Sequence, residues 1–166
     1  MVAHTVGIET GAQSGGSTAP VGAVARPSLL YVVKQVELAV KARLDELVKP
    51  AGVTTMQYTA LTVLRRREGL SSAQLARNSF VTPQSMADTV TTLEQQGLIV
   101  RRRNPDNRRV LLLSLTDAGR SLLAGLDAEV EALEDRMAER LTQRQRDDLE
   151  DYLERCRAAL TDLPSH

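Results

Sequence analysis

The stretch "VTPQSMADTVTTLEQQGLIVRRRNPDNRRVLLLSLTDAG" (residues 81–119) changes period part-way along. Up to Gly97 it reads as a helix. Thr82 is a good N-cap, Pro83 suits the first helical position and Gly97 terminates. Met86, Val90 and Leu93 fall at i, i+4, i+7 and predict one buried stripe. The other face is short and polar: Gln84, Ser85, Thr89 and Thr92. Beyond Gly97, "LIVRRR" (98–103) and "RVLLLSL" (109–115) flank the turn-rich "NPDN", which predicts a β-hairpin. Five arginines and one aspartate occupy residues 101–109.

Reading outward, Ser71 or Ser72 can cap a short helix over "SSAQLARNSF". Before it, Thr54 or Thr55 caps a helix with Met56, Ala60, Leu61 and Leu64 facing inward, and Gly69 is expected to close it as a left-handed C′ residue. Ser28 caps a long first helix that ends near Val48, with Leu29, Val33, Val36, Val40, Leu44 and Leu47 at helical spacing and Pro50 and Gly52 stopping it. Downstream, Thr116 caps a helix carrying Leu122, Leu126, Val130, Leu133 and Met137. Thr142 and Gln145 form a capping box for a last helix lined by Leu149, Leu153, Cys156, Leu160 and Leu163, which Pro164 ends.

The predicted order is α-α-α-α-β-β-α-α. The fold class is mainly α with a small β-hairpin wing: a winged helix-turn-helix flanked by N- and C-terminal dimerisation helices. Residues 1–27, rich in Gly, Ser, Ala and Thr, read as a flexible tail. Residues 28–50 are the N-terminal dimerisation helix, 54–115 the winged lobe and 116–163 the C-terminal dimerisation helices. The outer helices have apolar faces too long for so small a core, so they are expected to bury each other across a two-fold axis in a homodimer.

The chain has no formal net charge, yet the charge is unevenly placed. Residues 101–120 hold six Arg against two Asp, and residues 127–154 hold eleven acids against four Arg. The asymmetry suggests one end that faces a polyanion and another that faces solvent or a partner; the alternative is that both are solvated faces. A helix face of short polar residues suits base edges in the major groove, whereas Thr, a mediocre helix former, is poor surface filler. Arg at a thin wing tip can reach phosphates or the minor groove. Double-stranded DNA is therefore the expected partner. The competing reading is a winged-helix protein–protein adaptor that binds no DNA, which leaves the wing arginines without a partner.

Other classes fit poorly. Aromatics are 2% of the chain, too few for stacking single strands. The two histidines, His4 and His166, lie at the ends, so neither a catalytic His nor a metal site in the core is expected, and no cofactor. No phosphate-cradling Gly loop is present, and the chain is expected not to be an enzyme. No stretch is apolar enough for a membrane helix and no signal peptide is expected; the single cysteine fits a reducing cytoplasm. Cys156, on the apolar stripe of the last helix among acids, is expected to be a buried structural thiol.

The quoted stretch resembles the recognition helix and wing of the MarR family, the multiple-antibiotic-resistance-type regulators. At the motif level the resemblance runs from Leu70 to Gly119, and in element order from about Ser28 to Leu163. It implies a homodimeric repressor or activator on a pseudo-palindromic site, with release by a small aromatic acid or phenolic effector in many relatives. The DNA-binding residues are expected to be Ser72, Thr82, Gln84, Ser85, Thr89, Arg101, Arg103, Arg108 and Arg109. Tyr31, Met56, Tyr58 and Leu61 are the expected effector cleft, because tyrosine offers an apolar body with a hydroxyl handle; the equal alternative is that both rings simply pack the lobe junction. Two positions depart from the family pattern. Asn107 stands where relatives usually carry an Asp that braces the wing arginine, here Arg109. Asp88 stands where they often carry a basic residue and is read as serving the helix dipole.

Overall fold

The computed structural model describes residues 26–161. Most of the expected tail, together with His4, Leu163, Pro164 and His166, lies outside the described residues. Helix α1 (Leu29–Val48) is capped by Ser28, whose Oγ accepts from Tyr31 N at 3.2 Å. A 3₁₀ turn (Lys49–Ala51) follows and ends at Gly52, left-handed at φ +75°. Helix α2 (Thr55–Arg66) starts on a capping box in which Thr54 N donates to Gln57 Oε1 at 2.8 Å. Asp45 of α1 meets Lys41 at 2.6 Å and also accepts from the Thr55 hydroxyl, tying the first helix to the start of the second.

Helix α2 ends earlier than the sequence suggests. Arg67 is its C-cap in extended conformation, so Gly69 is not its C′ residue. Gly69 does adopt φ +72°, but in the link that follows, where its N–H donates to Leu113 O at 3.0 Å. Leu113 N in turn donates to Leu70 O at 2.8 Å. The link thus lies along the hairpin as a single-residue third strand, a long-range pairing that local periodicity does not encode.

Helices α3 (Ser72–Asn78) and α4 (Pro83–Gln95) are capped by Ser71 and Thr82. Gly97, at φ +70°, leads into strand β1 (Ile99–Arg103), which pairs antiparallel with β2 (Leu111–Leu115) in the register Ile99↔Leu115, Arg101↔Leu113, Arg103↔Leu111. Helix α5 (Asp117–Met137) is capped by Thr116. Helix α6 (Gln143–Thr161) opens on the expected box, with Thr142 N donating to Gln145 Oε1 at 2.9 Å.

One core binds these pieces. Val48, Leu61, Leu64, Leu75, Met86, Leu93, Leu113 and Leu123 are fully buried in it. Each such side chain contributes about 1.5–3 kcal/mol relative to exposure. The foot of α5 is fastened to the wing. Thr116 N donates to Leu98 O at 3.1 Å and its Oγ1 to Gly97 O at 2.7 Å. Gly119 lies so close that a Cβ there would overlap Leu98 O.

The outer helices contribute little to that core. On α1, Leu29 is 73% exposed and Leu30 77%; Tyr31, Val33, Val36 and Leu38 are exposed too. On α6, Leu149, Tyr152, Leu153 and Leu160 are exposed. Cys156 is exposed as well, which corrects the expectation of a buried thiol. The stripe exists, but among the described residues no other element covers it.

Candidate nucleic-acid interface

The first helix of the motif, α3, is held by its own capping box, with Ser71 N donating to Gln74 Oε1 at 2.9 Å. Ser72 is its first residue and half-buried. A tight turn follows. Ser79 N donates to Leu75 O at 2.9 Å and Val81 N to Ala76 O at 3.1 Å. Between them Phe80 has φ +54°, the sole positive φ of a non-glycine among the described residues. Only a well-determined turn holds a bulky side chain in that region.

The turn delivers Thr82 to the start of α4. Thr82 Oγ1 accepts from Ser85 N at 3.2 Å and donates to Ser85 Oγ at 2.9 Å. The Ser85 proton is therefore available to an outside acceptor. Gln84 is exposed beside it, and its Nε2 donates to Asp88 Oδ1 at 3.3 Å. Asp88 thus orients a neighbouring amide on the helix surface. The threonines behave differently. Thr89, Thr91 and Thr92 donate to the carbonyls of Ser85, Ala87 and Asp88 at 2.8, 2.9 and 3.0 Å. Their protons are used within the helix. What Thr89 can offer outward is a methyl and a lone pair, the chemistry that fits a thymine methyl.

The wing arginines separate into two kinds. Arg101 shares a strand face with Ile99 and lies opposite buried Leu113. It reaches back to α4, where its Nε lies 2.8 Å from Glu94 Oε2 and its Nη2 3.3 Å from Thr91 Oγ1. Arg103, Arg108 and Arg109 are exposed and have no ion pair among the described residues. The loop that carries Arg108 and Arg109 is ordered by two Asx turns. Asn104 Oδ1 accepts from Asp106 N at 2.9 Å, and Asn107 Oδ1 from Arg109 N at 3.1 Å. Asn107 therefore braces Arg109 through its backbone amide and leaves the guanidinium unengaged.

The four residues expected to form an effector cleft differ in exposure. Tyr31 is exposed on α1 and Met56 half-buried, while Tyr58 and Leu61 are buried members of the core. Two surface clefts lie elsewhere. One is bounded by α3 and the wing loop and includes Ser71, Arg77, Asn104 and Asp106. The other includes Arg66, Arg67, Arg77, Phe80 and Glu154. The Glu94–Arg101 pair and the second cleft escape sequence reading, because their members are separated in sequence and follow no periodic pattern.

The sequence model of the MarR family matches residues 51–110, the span from the end of the 3₁₀ turn to the wing loop. The HTH-type transcriptional repressor Rv2887 of Mycobacterium tuberculosis is 33% identical over 125 residues, 75% of this chain and 90% of that protein. The chain belongs to the MarR family. Among solved MarR-type structures, the transcriptional repressor CouR bound to a 23-mer DNA duplex superposes with TM-score 0.70 at 32% identity, covering 78% of this chain and 92% of that one. The MarR-family Rv2887 in complex with p-aminosalicylic acid gives TM-score 0.65 at 32% identity, covering 78% and 98%. This protein is thus a MarR-family transcriptional regulator with a winged helix-turn-helix fold, in a family of regulators and not of enzymes. Among the described residues no helix is long and apolar enough to cross a membrane.

Proposed function

We propose that this MarR regulator is a repressor that binds a pseudo-palindromic DNA site as a homodimer and releases it on meeting a small aromatic acid or phenolic compound. The observation that carries DNA binding is the wing: Arg103 at the end of β1, and Arg108 and Arg109 on the loop beyond it, are exposed and make no ion pair among the described residues. Gln84 and Ser85 open the recognition helix with free donors and acceptors, and Thr82 fixes their placement. Ser72 and Thr89 complete the contact surface, with Thr89 presenting its methyl. Arg101, engaged by Glu94, shapes the wing. The bare apolar faces of α1 and α6 support dimerisation through residues 28–50 and the C-terminal helices, because a second copy of the same faces would cover both. The effector reading leans on the relative crystallised with p-aminosalicylic acid, and the working compartment of such a regulator is the cytoplasm.

Fluorescence anisotropy with DNA from upstream of the protein's own gene tests the reading. Binding to that fragment at least about a thousandfold tighter than to random duplex is expected of a specific regulator. Equal, weak binding to both would leave the adaptor reading in possession.

A further inference from the structure

We propose that Asp88 is a positioning residue for base readout: it fixes the Gln84 amide so that Gln84 reads adenine in the major groove and rejects guanine. This rests on the DNA-binding half of the proposed function and assigns a base to one position of that surface. Gln84 Nε2 donates to Asp88 Oδ1 at 3.3 Å. A carboxylate only accepts, so the NH2 end of the amide is the end that can face it. One of the two amide protons goes to Asp88. One N–H and the carbonyl oxygen are left for an outside partner. The adenine edge offers the matching pair, its N6 amino group as donor and N7 as acceptor. The guanine edge offers two acceptors, O6 and N7, and the second proton it would need is held by Asp88. The carboxylate also repels those two acceptors.

The placement of the pair supports a role in recognition. Gln84 and Asp88 stand four residues apart on one face of α4, opposite the buried stripe of Met86, Val90 and Leu93. Both are exposed. Asp88 is the sixth residue of α4, past the first turn, where the helix dipole no longer favours an acid. Among the described residues it makes no ion pair. A bare carboxylate on the face that meets DNA is repelled by the phosphates of every sequence, so affinity does not explain its presence there. Discrimination does. A charge that weakens all complexes, and the wrong one most, raises specificity.

The test uses the full chain and its Asp88→Ala, Asp88→Glu and Gln84→Ala variants. Each is taken through selection from a pool of random duplexes, and anisotropy then compares the enriched site with its single-base variants. Wild type should enrich adenine at one position of each half-site, and Gln84→Ala should lose the preference at that position alone. Asp88→Ala should lower the adenine-to-guanine affinity ratio there about tenfold, while its affinity for random duplex rises about two- to fivefold at low salt. Asp88→Glu keeps an acceptor-only carboxylate at the same helical spacing and should retain the adenine preference. A merely structural role for Asp88 would shift affinity at all positions alike. An adenine-to-guanine ratio unchanged in Asp88→Ala, or an adenine preference that survives Gln84→Ala, would overturn the proposal. A cytosine preference lost in Asp88→Ala in place of the adenine one would overturn it too, by making Asp88 itself the base contact. A wild-type chain that enriches no sequence would sink the DNA-binding reading, and the proposal with it.

Discussion

Arg101 Nε stands 2.8 Å from Glu94 Oε2, joining the first strand of the wing to the closing turns of the recognition helix. The Arg101 side chain is 32% exposed and that of Glu94 41%, so the pair is partly screened. Arg101→Ala should therefore lower stability by no more than about 0.5–1 kcal/mol. Its effect on DNA should come through geometry. Affinity for the operator should fall while the slope of log affinity against log salt stays near the wild-type value, because no phosphate contact is lost. Salt titrations of the variant check this, and a slope flattened by a full unit would show that Arg101 is itself a backbone contact.

Arg108→Ala should do what Arg101→Ala does not. It should weaken specific and random DNA alike and flatten the salt dependence by roughly one unit of log–log slope. Gln84→Ala and Ser85→Ala should each cost about 1–3 kcal/mol on the cognate site and little on random duplex, since base-edge contacts carry discrimination. Anisotropy on both duplexes across a salt series separates the two classes.

The two glycines of α5 should respond with opposite signs. A Cβ at Gly119 would strike Leu98 O, a backbone atom that cannot swing away, whereas at Gly125 it would meet nothing within 4 Å. Gly119→Ala should destabilise by about 1–3 kcal/mol. Gly125→Ala should stabilise by about 0.5–1 kcal/mol through helix propensity. Denaturant midpoints of the two variants measure the difference, and a shift in the same direction for both would contradict the packing described.

Deleting residues 149–166 should abolish the soluble dimer. The deletion removes the exposed Leu149, Leu153 and Leu160 and leaves the face of α1 without a counterpart. Sedimentation velocity gives the answer directly. A truncated chain that remains a stable dimer would place the interface on α1 alone.

Asp45 links stability to acid. The hydrogen bond from Lys41, then that from the Thr55 hydroxyl, hold its carboxyl below the ordinary value of 3.8. A carboxylate lowered in the folded state stabilises above its unfolded pKa, and the contribution disappears as pH falls through the folded value. The melting temperature of Asp45→Asn should thus lie below wild type at neutral pH, and the two should converge as pH drops below 3.8. A gap that persists unchanged at pH 2 would assign the difference to the shape of the side chain.

The elements were legible because their punctuation is local. Ser28, Thr54, Ser71, Thr82, Thr116 and Thr142 all stand at helix starts, and Gly52 and Gly97 stand at stops with the positive φ that favours glycine. The stripe of Met86, Val90 and Leu93 is buried as its spacing requires. Pairings between distant segments were not legible. Leu70 meets Leu113 and Glu94 meets Arg101 because the chain folds back, and neither pair leaves a periodic trace. Charge can be counted along a sequence, whereas the engagement of Arg101 by Glu94 depends on strand register. The exposure of Cys156 has a related cause. An apolar stripe says that a face wants cover, not that the same chain supplies it.

The join at Gly119 also makes α5 a lever. Its 21 residues span about 31 Å, and its foot is fixed to the backbone of Leu98 with no side chain between to absorb movement. A tilt of about 3° at that foot moves the far end of so long a rod by about 1.6 Å. Conversely, clamping the far end against another body holds the wing's bearing to within a few degrees. The absence of a single methyl group thus sets how stiffly the spacing between two distant arginine tips can be held.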